Sequence, residues 1–445
     1  MKKNPLKCYQ QQRQLTGSWQ LEGLVSSCSM AVIIPALGEG EQLWATLESI
    51  ATNPAIVLEN TLVVVIINCR VDSDPELVCQ NKIDLAELRG GRHFGALRLA
   101  WIDASSADRQ LPFKQGGVGM ARKIASDLLL PYLTDDGLLI HLDADTVVDE
   151  RYLQSISDSF VAAHFGAAVI PYCHQPGEDS AGHRSIILYE LYLRCHVLGL
   201  QLAGSPYAYH SIGSTMVCTC SAYIKAGGMN CRLAGEDFYF LQQLTKTGGM
   251  GLVSGTVVRP AARISQRTPF GTGQVVRQLS NDDDATQRFY APQCYSVLQQ
   301  WLALVNECLH HDAVQLMAQV QEISPMLADF LQQEQFVAVW ERLCRTHSQY
   351  ARRQHAFHEW FDGLKTMRCI HHLSEHVYPM ADAKQHVPPL LRYAELECGD
   401  APEQWLATLR KCDLEENPVV STTGDKCQET YQSRRDDVGS ISTTS

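Results

Sequence analysis

The chain has 445 residues, a length that predicts two or three domains. Hydrophobic residues make up 45% of the sequence, as in a globular protein with a sizeable core, and the net charge of −12 argues against a general nucleic-acid-binding protein, which would carry a broad basic surface. The same negative charge argues against attachment to anionic lipids by charge alone.

Membrane insertion and secretion find no support in the sequence. No stretch approaches the roughly 20 apolar residues that a membrane helix needs. Residues 1–15 are basic but lack the apolar segment of a secretory signal behind them. The cysteines are scattered without the spacing of a disulfide framework, so we expect reduced thiols in a cytoplasmic protein. Peripheral contact with a membrane stays open, because it needs no spanning segment.

The first part of the chain predicts alternating strands and helices. Residues 1–29 are polar and rich in glutamine, and we expect them to form a loose N-terminal extension. Two apolar runs, 30–35 and 60–68, predict buried strands, and helical spacing of apolar residues lies between them. Strands joined in this way form a βαβ unit and imply a parallel sheet. Further strands are predicted at 97–102, 138–142, 167–171 and 253–258, and helices at 117–130, at 185–202 and from 238 onward.

The pattern of apolar and polar residues changes after about residue 280. An acidic break at 281–284 precedes a region without strand signals, which predicts a series of amphipathic helices between Cys294 and Cys412. We therefore predict an α/β domain at 30–280, a helical region at 281–415 and a disordered tail at 416–445, where apolar anchors are few. Four prolines are expected to separate the helices of the second region: Pro325, Pro379, Pro388 and Pro389.

The segment LDADT, residues 142–146, places two carboxylates directly after an apolar strand. Open α/β sheets bind ligands at the carboxyl ends of their strands, and an unpaired buried carboxylate is very costly. Asp143 and Asp145 therefore suit a divalent cation, since Mg²⁺ is often held by one or two carboxylates together with substrate phosphates. A solvated turn between a strand and a helix explains the same residues, and this segment alone leaves both interpretations open.

Two loops that follow the first two strands also suit a ligand. Residues 35–41 (PALGEGE) close the first strand and open a helix, but with only Gly38 and Gly40 they lack the GxGxxG of a dinucleotide-binding fold. Asp72 and Asp74 follow the second strand. Their carboxylates are suited to accept hydrogen bonds from a nucleobase or a ribose.

Two helix starts carry charged residues. The glycines at 116, 117 and 119 open a helix with Arg122 and Lys123, and a helix N-terminus with basic side chains suits a diphosphate. Glu236 and Asp237 lie between a glycine turn and an amphipathic helix. Acidic residues in a first helical turn are ordinary partners of the helix dipole, which explains Glu236 better than it explains the adjacent pair.

Taken together and in this order, the motifs resemble the family 2 glycosyltransferases of GT-A fold. The resemblance covers roughly residues 30–270 and rests on 32–50 (VIIPALGEGEQLWATLESI), 116–127 (GGVGMARKIASD), LDADT, 227–230 (GGMN) and 235–249 (GEDFYFLQQLTKTGG). It implies a GT-A fold, with a Rossmann-like and mostly parallel central sheet flanked by helices. It also implies transfer of a sugar from a nucleotide-diphosphate sugar to an acceptor hydroxyl, with inversion at the anomeric carbon.

The resemblance assigns roles to the acidic residues by position. Asp145 would be the main protein ligand of a Mg²⁺ or Mn²⁺ ion on the donor diphosphate, and Asp143 would contact the ribose or support the metal. Asp237, with Glu236 beside it on the substrate side, would be the base that takes the proton of the acceptor hydroxyl.

The donor-binding residues follow in the same way. Pro35 and Glu39 resemble the first donor-binding loop of the family. Asp72 or Asp74 would lie near the base, although the family usually has acidic residues where this chain has 68–70 (NCR). The basic helix that follows the glycines of the family is matched by Arg122 and Lys123.

Two further groups invite a functional hypothesis. Arg259, Arg263 and Arg267 precede Gly271 and Gly273, so a basic loop at 259–273 is suited to close over the diphosphate. A solvated basic loop is the simpler explanation. His210 lies in a segment that would face the acceptor, although a lone histidine is more often a structural residue with its hydrogen bonds satisfied. Five C-terminal histidines, two pairs of them at helical spacing, suggest a second metal site, with ordinary surface histidines as the alternative: His355, His358, His371, His372 and His376.

Two other functions compete with glycosyl transfer. A non-catalytic GT-A scaffold would keep the fold for binding and use the helical region as a partner surface. A sugar-phosphate nucleotidyltransferase would carry a GxGxR loop after the first strand, and here that loop is acidic and lacks the arginine. The sequence does not specify the sugar, the nucleotide, the oligomeric state or the acceptor, for which a glycan, a lipid-linked molecule and a small molecule all stay open.

Overall fold

The computed structural model describes residues 4–23, 25–177, 179–262 and 287–414. Up to residue 262 it has ten strands, which lie at β1 (Leu21–Gly23), β2 (Cys28–Ala36), β3 (Thr61–Asn68), β4 (Arg98–Ala104), β5 (Leu133–His141), β6 (Thr146–Val148), β7 (Ala167–Val169), β8 (Met216–Thr219), β9 (Gly251–Leu252) and β10 (Val258–Pro260). The helices described between them are α1 (Pro5–Gln12), α2 (Glu41–Ala51), α3 (Ala55–Leu58), α4 (Pro75–Arg89), α5 (Val118–Leu129), α6 (Tyr152–Ala163), α7 (Ser180–Leu202), α8 (Cys220–Ala226) and α9 (Glu236–Gly248).

Eight of these strands form one central sheet in the order β1-β4-β3-β2-β5-β8-β7-β9. The strands β4, β3, β2 and β5 run parallel, while β8 is antiparallel to both of its neighbours and β1 is antiparallel to β4. Helices flank the sheet, so the predicted α/β architecture with a mostly parallel sheet is confirmed. The remaining strands, β6 and β10, pair in a small antiparallel sheet beside the LDADT segment.

The apolar runs of β2 and β3 reflect a sheet that is covered on both faces. Val32 and Ile34 pack into the core on one face, and Ala31 and Ile33 pack into the core on the other. Side chains alternate between the faces of a strand, so a strand buried on both faces must be apolar throughout. This burial places the end of β5, and therefore LDADT, at the middle of the sheet edge.

The N-terminal segment is packed on the domain, which corrects the expectation of a loose extension. Strand β1 adds an antiparallel edge to β4, with Leu21 opposite Ile102. Helix α1 buries Tyr9, whose hydroxyl donates to Asp127 over 2.7 Å. The polar and glutamine-rich sequence concealed these contacts, because each depends on a few residues and a distant partner.

The predicted helical region is confirmed over its described part, where eight helices follow residue 287. Its core includes three aromatic side chains with almost no exposure, Trp301, Trp340 and Phe357. Pro388 and Pro389 were expected to end helices, but they lie inside one, which corrects that expectation. The helices are α10 (Pro292–Glu307), α11 (Ala313–Ile323), α12 (Pro325–Gln333), α13 (Phe336–Thr346), α14 (Tyr350–Trp360), α15 (Gly363–His376), α16 (Ala383–Tyr393) and α17 (Pro402–Leu414).

The helical region is joined to the α/β domain through α7 and α9. Leu191 and Leu198 of α7 belong to the same buried cluster as the core of the helical region. Lys246 of α9 forms an ion pair of 2.6 Å with Asp362, just before α15. The two regions therefore share a core and do not meet only at a surface.

Three other predictions have mixed outcomes. The strand predicted at 253–258 is wrong, because β9 ends before it and β10 begins at its last residue. Most of the basic loop at 259–273 and all of the predicted tail at 416–445 lie outside the described residues. Among the described helices, none combines the length and the apolar character required to cross a bilayer.

Candidate functional site

The two aspartates of LDADT emerge from the central strand β5 and enter a short turn before β6. The backbone N–H of Leu142 donates to Ile33 over 3.0 Å, which extends the sheet by one residue beyond β5. The hydroxyl of Thr46 in α2 donates to the carbonyl of Ala144 over 2.9 Å. Gln175 donates to the carbonyl of Asp145 over 3.3 Å. The turn between the two carboxylates is therefore held from both sides of the sheet edge.

Asp143 is bound through both of its carboxylate oxygens. One oxygen forms an ion pair with Arg122 of α5, and the other accepts a hydrogen bond of 2.7 Å from the hydroxyl of Ser214. The Ser214 hydroxyl also lies 2.8 Å from that of Thr146, the last residue of the motif. Since each carboxylate oxygen has two lone pairs, Asp143 keeps acceptor capacity beyond these contacts.

Arg122 connects the LDADT turn to the start of α9. The side chain is buried and forms a second ion pair with Glu236. Burial acts to lower the pKa of the Arg122 guanidinium, but the charges of Asp143 and Glu236 outweigh it and raise that pKa. Arg122 thus remains a cation between two acids, Asp143 and Glu236. The sequence had assigned Asp143 to the donor site and Glu236 to the substrate side of the base.

The approach of α5 to α9 depends on a glycine. A Cβ atom at Gly119 would lie 2.6 Å from the carbonyl oxygen of Asn230 and 2.9 Å from the Cβ of Glu236. Real Cβ atoms do not show such short contacts, so a larger residue would push the two helices apart. The GGVG sequence is thereby explained by packing at this point.

The first turn of α9 presents a carboxylate with an unusual proton affinity. Asp237 is half-buried, and its Oδ1 accepts from the backbone N–H of Phe238 over 2.7 Å. Burial and then the negative charge of Glu236 raise the pKa of the Asp237 carboxyl to about 7. Burial also raises the pKa of Glu236. A carboxylate that titrates near neutrality is matched to proton transfer at neutral pH.

The loop after β2 is fixed to helix α4. Asn81 accepts from the backbone N–H of Gly38 over 2.8 Å, and Asp84 accepts from that of Gly40 over 3.3 Å. Both glycines have positive φ, a conformation that other residues adopt only with strain. The fixed loop places Pro35 and the half-buried Glu39 at the same sheet edge as LDADT.

The aspartates after β3 already have partners in the protein. Asp72 forms a half-exposed ion pair of 2.6 Å with Arg70. Asp74 caps α4 and accepts from the backbone N–H of Glu76 over 2.8 Å. The capping contact gives Asp74 a structural role, and the base contact predicted for Asp72 or Asp74 stays a prediction.

Lys123 lies in a different environment from its neighbour Arg122. Its ammonium contacts the Tyr9 hydroxyl at 2.8 Å and Asp127 at 3.2 Å, and Tyr223 donates to the same Asp127 over 2.9 Å. Burial and then the charge of Asp127 raise the pKa of the Tyr9 hydroxyl. Lys123 therefore joins α5 to the N-terminal helix, and the structure does not bring it to the acids of LDADT and α9.

The donor set of LDADT fits a hard divalent cation, because both acidic side chains offer carboxylate oxygens. Within the described ranges, no group of three or more histidine, cysteine, aspartate or glutamate side chains is arranged to hold a metal ion. Any ion at LDADT would thus depend on the substrate and water for its other ligands. The protein ligands of that ion would be Asp143 and Asp145, and Asp145 also interacts with another group of the protein.

The absence of such a group among the described residues also removes the second metal site suggested by the C-terminal histidines. Their contacts are of other kinds. His372 pairs with Asp329 at 3.1 Å, and His355 pairs with Glu359 of the same helix at 3.6 Å. His371 accepts or donates a hydrogen bond of 2.9 Å with Tyr290.

Two features of the site escaped the sequence. Ser214 contacts Asp143 from 71 residues away, and no motif marks this contact. His141 is fully buried at the end of β5, packs edge-on against Phe240 of α9 at 5.9 Å, and has no hydrogen-bond partner among the described residues. His210, for which the sequence offered an acceptor contact or a structural role, contacts Asp413 in the last described helix, α17, at 3.2 Å, in agreement with the structural role.

The basic loop after β10 is described only at its beginning. Arg259 lies in β10, and its carbonyl accepts from the side chain of Gln175 over 2.8 Å. Arg263 and Arg267 lie outside the described residues. Closure of this loop over a donor stays a prediction.

Comparison with known proteins gives matches in structure alone. No family model matches this sequence, and no curated protein matches it. Residues 1–349 of S. aureus TarS in complex with UDP-GlcNAc are 14% identical, and the alignment covers 66% of this chain and 71% of that chain with a TM-score of 0.36. The mannosyltransferase PcManGT from Pyrobaculum calidifontis, solved with GDP-Man and Mn²⁺, is 15% identical, and the alignment covers 80% and 94% with a TM-score of 0.36.

A third structure, GalNAc-T7 with UDP, GalNAc and Mn²⁺, is 14% identical and aligns over 53% of this chain with a TM-score of 0.33. The present chain spans 44% of that protein and 60% of another TarS 1–349 structure. Because the identities and the TM-scores are this low, the function proposed below rests on the residues of this chain.

Proposed function

We propose that the protein is a glycosyltransferase that moves a sugar from a nucleotide-diphosphate sugar to an acceptor hydroxyl, with inversion and with the help of Mg²⁺ or Mn²⁺. One observation carries the proposal. Arg122 binds Asp143 of LDADT and Glu236 of α9 at once, which brings a candidate diphosphate site next to Asp237, a carboxylate with a pKa of about 7. A donor site and a base are the two parts that such a transfer requires.

The reaction follows from these positions. The carboxylate of Asp237 takes the proton of the acceptor hydroxyl as that oxygen forms its bond to the anomeric carbon. The bond between the anomeric carbon and the diphosphate oxygen breaks, and its electron pair leaves with the nucleoside diphosphate. A single displacement of this kind inverts the anomeric centre. Asp145 and Asp143 would hold a Mg²⁺ or Mn²⁺ ion, which would supply positive charge to the leaving diphosphate.

The other residues position these groups. Arg122 and Ser214 hold the Asp143 carboxylate in one orientation. Glu236 is buried and forms an ion pair with Arg122, and its charge helps to raise the pKa of Asp237. Pro35 and Glu39 belong to the fixed loop on the donor side, and Asp72 lies in the loop after β3, where the base would bind.

Binding of nucleotides with and without metal is the direct test. We expect thermal shift and calorimetry to find a nucleoside diphosphate or nucleotide sugar whose binding increases with Mn²⁺, since any ligand of the folded state stabilises it. Asp145→Asn should lose the metal-dependent part of this binding. Asp135→Asn, at an exposed aspartate of β5, is the matched control and should behave as the wild type.

Turnover separates an enzyme from a scaffold. Asp237→Asn should retain the metal-dependent binding and lose transfer. Metal-dependent binding without transfer to any acceptor from a panel of glycans, lipid-linked sugars and small hydroxyl compounds would favour the non-catalytic scaffold. If no nucleotide binds with or without Mn²⁺, the proposal is wrong.

A further inference from the structure

A buried group of charged side chains joins the last described helix to the α/β domain. It lies between α7, α17 and two loop segments that precede and follow α7. Four of its members are buried, and the two on α17 are half-buried. We name it the α7–α17 ion cluster, and its members are His174, Glu190, Arg194, His210, Arg410 and Asp413.

Glu190 is the centre of the cluster and is completely buried. Arg410 donates to both of its carboxylate oxygens over 2.7 Å, and Arg194 donates to one of them over 2.8 Å. His174 contacts the other oxygen at 3.0 Å through its backbone N–H and through its ring. Burial acts to raise the pKa of Glu190, but the hydrogen bonds from Arg410 and then His174 outweigh it and hold that pKa far below its usual range.

Asp413 is the second acid of the cluster. It forms an ion pair with Arg194, and the Nε2 atom of His210 lies 3.2 Å from the same carboxylate oxygen. The ring of Tyr172 fills the space between these groups, with the Arg194 guanidinium 4.6 Å above it and the ring of His210 at 5.0 Å. Two acids and two arginines thus balance their charges inside a packed environment, where each charge depends on its partner.

Both loop segments that enter the cluster continue to the aspartates of LDADT. The first runs from Tyr172 to Gln175, which donates to the carbonyl of Asp145 over 3.3 Å. The second runs from His210 to Ser214, which donates to the Asp143 carboxylate over 2.7 Å. Helix α17 therefore contacts the second segment directly, through Asp413 and His210. It reaches the first segment through α7, because Arg410 binds Glu190 and Glu190 binds His174. The other end of each segment contacts one of the two acids.

We infer that Arg410 and Asp413 are positioning residues for the LDADT aspartates, and that α17 is a required part of the candidate active site. The helix acts through the segments 172–175 and 210–214. This assignment rests on the proposed function, because it concerns the metal and diphosphate site. The assignment goes beyond the proposed function because it gives the C-terminal helical region a defined task in that site.

The test compares two substitutions on the same helix. Asp413→Ala removes a member of the cluster, whereas Leu409→Ala removes a buried apolar side chain of α17 and leaves the cluster intact. The conservative variant Asp413→Asn keeps an acceptor oxygen and should lie between Asp413→Ala and the wild type. Glu403→Gln, at an exposed acid of α17, is the charge control.

Two measurements are made well below the unfolding temperature of each variant. The first is the affinity for Mn²⁺ in the presence of the nucleoside diphosphate that the wild type binds. We expect Asp413→Ala to weaken it about tenfold, the lower end of the loss that follows removal of a direct partner of a metal ligand, because Asp413 acts on such a partner, Ser214, only through the segment 210–214. The second is amide hydrogen exchange, which should accelerate in 172–175 and 210–214. Leu409→Ala should lower stability without either change.

Two results would count against the assignment in different ways. If Asp413→Ala and Leu409→Ala show the same Mn²⁺ affinity and the same exchange as the wild type in both segments, the positioning role is wrong while the proposed function stands. If the wild type itself shows no Mn²⁺-dependent nucleotide binding, the proposed function is wrong, and the positioning role falls with it.

Discussion

The Asp237→Asn variant is expected to unfold less readily than the wild type at neutral pH, although it should be inactive. In the folded protein, burial and the charge of Glu236 raise the pKa of the Asp237 carboxyl from its ordinary value of 3.8 to about 7. Asparagine is similar in size and has no charge. Its Oδ1 can still accept the hydrogen bond of the Phe238 backbone N–H.

The sign of the effect follows from proton binding. Between the two pKa values, the folded protein keeps a proton at Asp237 that the unfolded chain has released, so wild-type stability falls as pH rises through this interval. The difference between the two values corresponds to about 4 kcal/mol at most. Because Asp237 is only half-buried and water screens its charge, we expect Asp237→Asn to gain about 2 to 4 kcal/mol above pH 7 and almost nothing near pH 4.

Urea unfolding of metal-free protein, followed by tryptophan fluorescence at several pH values, measures this difference. Asp135→Asn serves as the control for the same change of residue type at an exposed aspartate of β5. A constant difference between wild type and Asp237→Asn from acid to neutral pH would show that the Asp237 carboxyl titrates normally. The assignment of Asp237 as a base with a pKa near neutrality would then be refuted.

Three further predictions concern groups around the site. Arg122→Met should lower the free energy of unfolding by about 3 to 5 kcal/mol, because it leaves Glu236 buried without a cation. The same substitution in a Glu236→Gln background should cost less if the two side chains are coupled, and an equal loss would contradict the coupling. His141→Leu should raise the free energy of unfolding by about 1 to 3 kcal/mol, since neither ring nitrogen has a hydrogen-bond partner among the described residues. Chemical denaturation measures this change, and a loss of stability would show that the ring nitrogens do have hydrogen-bond partners. Lys123→Met should lower thermal stability, because the contacts of Lys123 with Tyr9 and Asp127 are lost, and should leave nucleotide affinity unchanged. A loss of affinity in calorimetry would support the predicted role of Lys123 at the diphosphate.

The organisation of the fold could largely be predicted from local patterns. The uninterrupted apolar runs of β2 and β3 indicated strands buried on both faces, because side chains alternate between the faces of a strand. The change from alternating elements to repeated helical spacing located the helical region. Sequence failed at β1 and β6, which are three residues long and depend on strands distant in the chain. It failed also at Pro388 and Pro389, which α16 accommodates in its interior.

The candidate site was predictable in its residue types and not in its connections. LDADT and the acids of α9 are visible as motifs, because carboxylates directly after a buried strand or a glycine turn require a positively charged or hydrogen-bonding partner. The partners of these acids are not visible, since Arg122 touches Asp143 and Glu236 only after the sheet brings α5 and α9 together. The same holds for Ser214, which carries no local signal of its contact with Asp143.

The sequence by itself determined that a parallel α/β sheet would present two aspartates at the end of a central strand, because hydrophobic periodicity and burial cost are local properties of the chain. Only the tertiary structure decided what each acid meets. It turned Arg122 from a candidate diphosphate ligand into the bridge between two acids, and it placed Lys123 with the N-terminal helix. It also put α17 in contact with α7 and with the segment that leads to Ser214. These outcomes depend on long-range packing and electrostatics, which act between residues that the sequence separates by up to 220 positions.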